Sequence, residues 1–360
     1  MAFQTIGFIG LGLIGGSIAK KMKSNQPDIK IYATAHHKET IQEAYREGLI
    51  ENNDLLPLSA FSDCDYIFLC APVQRNLAYL RQLKDIIRSD CYITDVGSTK
   101  TEIHEEVIRL GMEANFIGGS EKTGILSATN TLLENAYYII TPTALTPKEE
   151  ISEFRDFVLS LGAIPLILDY KIHDYSTAAI SHLPHMIAYS LVNLVHQIDD
   201  DKETMKTIAA GGFKDITRIA SSSPVMWQNI CASNREPILS LMDQYLAILT
   251  KLRGYIDSSN EQALLSFFQQ AKDYRDSITL PSVKSPTVYY ECFVDLVDET
   301  GGIAAVAGLL AQYHISIKNI GIVNNREFEE GVLQLAFPDK QTLTRAKRLL
   351  KDNGYMVHER

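Results

Sequence analysis

The chain opens on Ile6-Gly-Phe-Ile-Gly10-Leu-Gly12-Leu-Ile-Gly15-Gly16-Ser17, an apolar run that leads into G-x-G-x-x-G and then into a helical pattern beginning near Ser17. Gly10 permits a tight strand-to-helix turn. Gly12 has no Cβ and lets the backbone approach a pyrophosphate, and Gly15 lets the helix pack close to the sheet. The helix N-terminus then faces the phosphates. A glycine-rich turn alone would need no ligand; between a strand and a helix it is the fingerprint of a dinucleotide site. It predicts NAD or NADP held at Gly10, Gly12, Leu13, Ile14 and Gly15.

Downstream, short apolar runs alternate with amphipathic stretches as far as about Tyr170. The runs are Thr5–Ile9, Ile29–Ala35, Asp65–Ala71, Tyr92–Val96, Asn115–Gly118, Tyr137–Thr141 and Ile164–Leu168, and Lys38–Glu47 reads as a helix between two of them. Several runs are apolar throughout, as strands buried on both faces are. The alternation predicts an α/β fold, a parallel doubly wound sheet of Rossmann type over residues 1–170. From 171 to 280 the β pattern stops. His185–Val195, Glu236–Tyr255 and Glu261–Ile278 carry apolar residues at helical spacing, so this part is all-helical, with stripes that cover one another or a second subunit. Thr279–Thr287, with Pro281 and Pro286, reads as a linker. The order from 287 to 360 is βαββαβ, a small ferredoxin-like module.

Composition narrows the function. The 360 residues exceed one ordinary core, and 46% apolar with 22% charged residues describes a globular chain. A net charge of -10 argues against nucleic-acid partners and repels anions at long range, so an anionic substrate needs cations placed locally. Five scattered cysteines form no C-x-x-C pair, which speaks against a disulfide framework or a cysteine-based metal site. No signal peptide is apparent and no apolar run reads as long enough for a bilayer, so a reducing cytoplasm without a membrane partner is the expected home.

In a doubly wound sheet, ligands sit beyond the carboxyl ends of the strands. Cys70-Ala71-Pro72-Val73, Asp95-Val-Gly-Ser98-Thr-Lys100 and Phe116-Ile-Gly-Gly119 end strands there. Ala71, Pro72 and Ser98 are therefore further cofactor candidates. Ser98 can donate to the substrate or to the nicotinamide amide, and as a helix N-cap it would need neither. Asp95 can be read as no more than a polar strand end. An NAD enzyme usually has an acid at the end of the second strand for the ribose 2′-hydroxyl. Here the stretch is Ala33-Thr34-Ala35-His36-His37-Lys38. Thr34 could bond a 2′-hydroxyl, and His36, His37 or Lys38 could face a 2′-phosphate. In the helical part, Lys214 and Arg218 share a face if their stretch is helical, and two cations so placed can clamp carboxylates. A solvated basic face is the plain alternative. His182 and His185 read as a cap and a half-buried core histidine, or as site residues.

Together these segments resemble the prephenate dehydrogenases of tyrosine biosynthesis, in the bacterial form with a C-terminal ACT domain. The likeness covers essentially the whole chain. It rests on Gly10–Ser17, Asp95-Val-Gly-Ser-Thr-Lys100, Glu134-Asn-Ala-Tyr-Tyr138 with Thr141-Pro142, Ser181-His-Leu-Pro-His185, and Gly211-Gly-Phe-Lys-Asp-Ile-Thr-Arg218 followed by Trp227. The resemblance implies oxidative decarboxylation of prephenate to 4-hydroxyphenylpyruvate. Hydride passes from C4 to the nicotinamide, the C4 hydroxyl loses its proton and the ring carboxylate leaves as carbon dioxide. It implies that Arg218 and His185 bind carboxylates, that Lys214 supports the same pocket, that Ser98 bonds the C4 hydroxyl region and that Glu121 stands near the mouth. A homodimer built on the helical domain is implied too. So is an amino-acid effector, tyrosine, on the ACT domain near Asp298, Gly301, Gly302, Asn319 and Ile320. The family's Asp-x-Pro-Gly turn reads Asp298-Glu-Thr-Gly301 here, without its proline.

One departure concerns the chemistry. Family members read Phe-Ile-Gly-Gly-His-Pro-Met-Ala-Gly-Ser-Glu, whereas here Gly118-Gly119 runs directly into Ser120-Glu121. The absent histidine is the family's general base, worth about 10²–10⁴-fold in rate. Three readings stay open. The chain is a weak or non-catalytic amino-acid-sensing relative; another histidine, His182 or His104, substitutes; or the 360-residue sequence omits a segment that the molecule contains, which the intact flanks favour. An arogenate or other β-hydroxyacid dehydrogenase is the alternative within the enzyme class.

Overall fold

The structure, a computed structural model, describes residues 4–121, 133–278, 290–296, 301–323 and 331–358. The chain divides into two compact units, Met1–Pro281 and Ser282–Arg360. The linker stretch Thr279–Thr287 lies outside the described residues.

The first unit begins with β1 (Thr5–Ile9), α1 (Leu13–Asn25), β2 (Lys30–Thr34), α2 (Lys38–Arg46), β3 (Tyr66–Leu69), α3 (Val73–Leu83), β4 (Tyr92–Asp95), α4 (Thr101–Leu110), β5 (Phe116–Glu121), β6 (Tyr137–Pro142), α5 (Lys148–Ser160) and β7 (Ile164–Ile167). The strands form one seven-stranded sheet in the order β2-β1-β3-β4-β5-β6-β7. Every residue of β3 is buried. Tyr66 and Phe68 join one core with Ile18 and Phe154, while Ile67 and Leu69 join the other with Leu80 and Ile103. Helices thus cover both faces, and the continuous apolar runs follow from that. The sheet is not wholly parallel: β5 and β6 pair antiparallel, Gly118 opposite Thr141 and Ser120 opposite Ile139. An antiparallel neighbour needs no crossover helix, so strict strand–helix alternation fails there.

The helical part continues the same unit with α6 (Tyr170–Thr177), a π turn (Ala178–His182), α7 (Leu183–Ile198), α8 (Thr204–Ile208), α9 (Gly211–Thr217), α10 (Pro224–Ser233), α11 (Arg235–Asp257) and α12 (Glu261–Ser277). Within the continuous helical stretch Tyr170–Ile198 an 18-residue window reaches a mean hydropathy of 1.2, long and apolar enough by composition to cross a bilayer, contrary to the expectation that no run has that length. The stretch also carries buried polar groups, among them His173, Asp174 and His182. Its outer apolar face meets α11 around a cavity of ≈ 290 Å³ lined by Met186, Leu191, Leu194, Met242, Leu246 and Leu249, among others. Leu194 and Leu246 remain more than half exposed.

The second unit has β8 (Tyr290–Leu296), α13 (Gly302–Gln312), β9 (Asn319–Val323), β10 (Gly331–Phe337), α14 (Lys340–Asp352) and β11 (Val357–His358). Its sheet order is β11-β8-β10-β9, antiparallel throughout. Val306 and Leu310 of α13 and Leu343, Ala346 and Leu350 of α14 pack on the apolar face made by Cys292, Val294, Leu333 and Leu335.

Candidate active site

The glycine motif builds the first wall. Gly10 has φ +97° and a Cβ there would sit 2.8 Å from the Ala71 nitrogen, so only glycine makes this turn without strain. A Cβ on Gly15 would meet the Gly10 carbonyl oxygen at 2.7 Å, which is the close helix–strand approach its position demands. Gly12 faces open space. Helix α1 begins at Leu13, four residues before Ser17, because Gly15 and Gly16 are accommodated inside its first turn. A cavity of ≈ 500 Å³ opens beyond the carboxyl ends of β1, β2 and β3, lined by Gly10, Leu11, Gly12, Thr34, Ala35, His36, His37, Thr40, Cys70, Ala71, Pro72, Arg75 and Tyr79. This is the point where strand order reverses, the place for a dinucleotide in such sheets. The open space over Gly12 and the helix N-terminus fit its pyrophosphate. Leu13, Ile14 and Gly15 do not line the cavity; Ile14 packs on the core and Gly15 is buried under the turn.

The loop after β4 adjoins that cavity. A Cβ on Gly97 would lie 3.1 Å from Val73 Cγ2, at the start of α3 and next to cavity-lining Pro72. Ser98 is exposed and is not the cap of α4. That role falls to Asp174 of α6, whose carboxylate accepts from the backbone N–H of Lys100 and of Thr101, each at 2.7 Å, and from the Thr101 hydroxyl. Burial pushes the Asp174 pKa up, but hydrogen bonds from His173 and Thr101 outweigh it and hold the carboxyl below its ordinary value. The Ser98 hydroxyl is thereby left without a capping duty. Asp95 is far more than a polar strand end. It is fully buried against the Lys100 ammonium, and it accepts from the Gly97 N–H. Lys100 also donates to the Gly119 carbonyl at 2.6 Å, tying the β4 loop to β5 where the family histidine segment would follow. In this chain Gly119 and Ser120 are consecutive residues of one ladder, opposite Ile140 and Ile139. Glu121 ends the strand, half-buried.

The other wall is helical. His185 on α7 stacks on Trp227 of α10, with ring centroids 3.9 Å apart, and its Nδ1 lies 2.8 Å from the Ser181 carbonyl. A carbonyl only accepts, so Nδ1 carries the proton and, in the neutral ring, Nε2 is the bare nitrogen. The Trp227 indole N–H is buried and has no acceptor among the described residues. Lys214 lies on α9, whereas Arg218 caps that helix and starts a 3₁₀ turn, so the two are four apart but do not share a full helix. Both are exposed, and the Tyr189 hydroxyl of α7 donates to the Ser222 carbonyl just beyond the turn. Ser98 is linked to this wall through its neighbour: the Thr99 hydroxyl lies 3.1 Å from that of Ser233, at the end of α10. Asn234 then donates to the Asp174 carbonyl and to His182 Nδ1.

The remaining histidine candidates are constrained. His182 is buried, edge-on to Trp227, with Nδ1 occupied as an acceptor. His104 lies within α4, not on a loop. It stacks on Tyr170, and its Nε2 meets the Thr141 hydroxyl at 3.0 Å. Burial, reinforced by the Lys100 charge, lowers its pKa to about 3, so the ring is neutral and a poor proton acceptor. This neutrality has a stability consequence. The unfolded chain binds a proton near pH 6.5 and the folded chain does not until about pH 3. Between those limits stability falls with decreasing pH by about 1.4 kcal/mol per unit from this group. Urea titrations at pH 7 and pH 5 are expected to show that loss, and His104→Gln, which can still meet Thr141, to reduce it.

In the second unit, Gly301 has φ +98° and caps α13, Gly302 opens the helix, and Asn319 and Ile320 lie exposed on edge strand β9. Asp298 lies outside the described residues.

The fold and these residues define a dinucleotide-binding α/β protein with a helical second half packed onto it through Asp174 and Ser233. The nucleotide-binding domain of prephenate dehydrogenase matches residues 18–165, and that enzyme's dimerization domain matches residues 169–270. The prephenate dehydrogenase of Bacillus subtilis is 35% identical over 355 residues, spanning 97% of this chain and 96% of its own. That of Lactococcus lactis is 34% identical over 352 residues, 95% of this chain and 96% of its own. The crystal structure of Aquifex aeolicus prephenate dehydrogenase in complex with hydroxyphenyl propionate and NAD+ superimposes with a TM-score of 0.72 at 27% identity, covering 78% of this chain and 99% of that one. The chain belongs to the prephenate dehydrogenase family.

Proposed function

We propose that this protein oxidatively decarboxylates prephenate to 4-hydroxyphenylpyruvate, passing hydride to NAD(P), as a step of tyrosine biosynthesis in the cytoplasm. The observation that carries the reading is a glycine cradle fit for a dinucleotide, joined through Thr99–Ser233 to a helical part that carries Lys214, Arg218, His185 and Trp227, groups fit for an aromatic-ring precursor dianion. When bound, the nicotinamide supplies the hydride acceptor. Lys214 and Arg218 supply the positive charge that a dianion requires in a chain of net charge -10, and the Arg218 fork can take a carboxylate with two parallel bonds. The unpaired Trp227 N–H is a further donor toward an anion. Ser98, relieved of capping by Asp174, can bond the C4 hydroxyl, and Glu121 borders the same end of the sheet.

The proton goes to His185. Its Nδ1–H is committed to the Ser181 carbonyl, which leaves Nε2 as a lone-pair acceptor. His182 has the opposite tautomer, since its Nδ1 accepts from Asn234, and His104 is buried and too weak a base. With the family histidine segment absent, carboxylate binding falls to the two cations and proton acceptance to His185.

The test is reduction of NAD and NADP with prephenate, and with arogenate alongside, on protein whose intact mass matches the 360-residue chain. Turnover with prephenate at that mass supports the assignment. Preference for arogenate redirects it within the class. Dinucleotide binding without turnover would identify a non-catalytic relative.

Two further parts of the reading concern partners. The apolar face of α7 and α11 lies in the region matched by the family's dimerization domain, which supports a homodimer built there. Leu246→Glu is expected to shift the protein from dimer to monomer in multi-angle light scattering, since it buries a charge in that face. The second unit has the βαββαβ order of an ACT domain, and tyrosine bound near Gly301, Gly302, Asn319 and Ile320 would inhibit. Millimolar tyrosine is then expected to raise the thermal midpoint; an unchanged midpoint with unchanged activity overturns the effector assignment.

A further inference from the structure

Cofactor choice is decided at the end of β2, and the cavity wall there is chemically one-sided. An NAD site needs an acceptor for the ribose 2′-hydroxyl, ordinarily an Asp or Glu at that strand end. Among the described residues, none that lines this cavity is a carboxylate. The wall at that end is Thr34, His36, His37 and Thr40, and across from it Arg75, from the first turn of α3. Lys38, the other basic residue nearby, is diverted: its ammonium pairs with Asp54 at 2.6 Å and does not line the cavity. That pairing also occupies the Asp54 carboxylate. Arg75 is exposed and has no carboxylate partner among the described residues. A guanidinium unpaired at a ligand cavity, in a chain that repels anions overall, is suited to a phosphate rather than to a neutral hydroxyl.

We propose that this cradle selects the 2′-phosphorylated dinucleotide, NADP(H), over NAD(H), with Arg75 and His36 taking the 2′-phosphate. The inference rests on the dinucleotide reading above and deepens it. Arg75 supplies the fixed charge and the bidentate geometry. His36 and His37, edge to face with centroids 4.7 Å apart, supply ring N–H donors beside it. Thr34 remains for a ribose hydroxyl.

Equilibrium binding without substrate separates this from the catalytic assignment. Titration of the full chain with NADPH and with NADH, followed by nicotinamide fluorescence, is expected to give a dissociation constant at least about ten-fold lower for NADPH, the worth of one or more charge-assisted bonds. Arg75→Ala, on an exposed residue, is expected to weaken NADPH about 10–100-fold and to leave NADH within about two-fold. Retained NADH binding doubles as the control for an intact fold. NADH bound as tightly as NADPH overturns the proposal while leaving the dinucleotide reading in place. An Arg75→Ala variant that loses both nucleotides equally also overturns it. Binding of neither nucleotide to the unaltered protein overturns both.

Discussion

His185→Asn is expected to lower kcat for prephenate by about 10²–10⁴-fold, the usual worth of a positioned base, while KM changes only a few-fold. The reasoning is a matter of lone pairs. His185 holds its Nδ1 proton on the Ser181 carbonyl and rests face to face on Trp227, so the ring is fixed in rotamer and tautomer. Asparagine keeps a polar side chain of smaller size but cannot take the proton. The split between kcat and KM distinguishes this from simple misplacement: a lost acceptor lowers kcat and leaves KM nearly unchanged, whereas a lost carboxylate contact raises KM. His182→Asn is expected to keep kcat within about three-fold, because His182 Nδ1 is already satisfied by Asn234. A His185→Asn enzyme that keeps its rate within about three-fold would move the proton elsewhere.

Lys100→Met is expected to be the most destabilising single change at the site. Lys100 and Asp95 are both fully buried and paired, so removing the ammonium leaves an uncompensated carboxylate in the interior. Breaking such a pair costs about 3–5 kcal/mol. For a unit of this size that corresponds to a fall in Tm of about 6–20 °C. The Gly119 carbonyl also loses its partner. Asp95→Asn combined with Lys100→Met removes the stranded charge and should recover part of the loss in Tm. Recovery of none of it would mean that the cost lies in packing of the lysine stem and not in the charge pair.

Much of the scaffold is legible in the sequence. The glycine spacing required a strand, a turn and a helix, because only residues without a Cβ tolerate the approaches at Gly10 and Gly15. The all-apolar run at Tyr66–Leu69 required burial on both faces. Local pattern stopped being informative where a residue's partner is distant in sequence. Ser98 has the composition of a cap, yet Asp174 takes that duty from another part of the fold. His104 had the proximity in sequence of a replacement base, but burial makes it a neutral core residue. Lys38 looked like a phosphate ligand until Asp54 engaged it. Arg75, which faces the same cavity, gave no motif signal. The one clue lay in its position, three residues past Pro72 at the end of β3, where a switch-point loop returns to the cleft.

The sequence alone determined the dinucleotide fold, its helical companion and the family, because glycine sterics and hydrophobic period act over a few residues and leave a readable pattern. Tertiary structure alone decided which histidine keeps an open lone pair, which acid caps α4 and which cation faces the cavity. Those properties belong to pairs: a proton acceptor, a cap or a free guanidinium is defined by what the rest of the chain brings within about 3 Å of it.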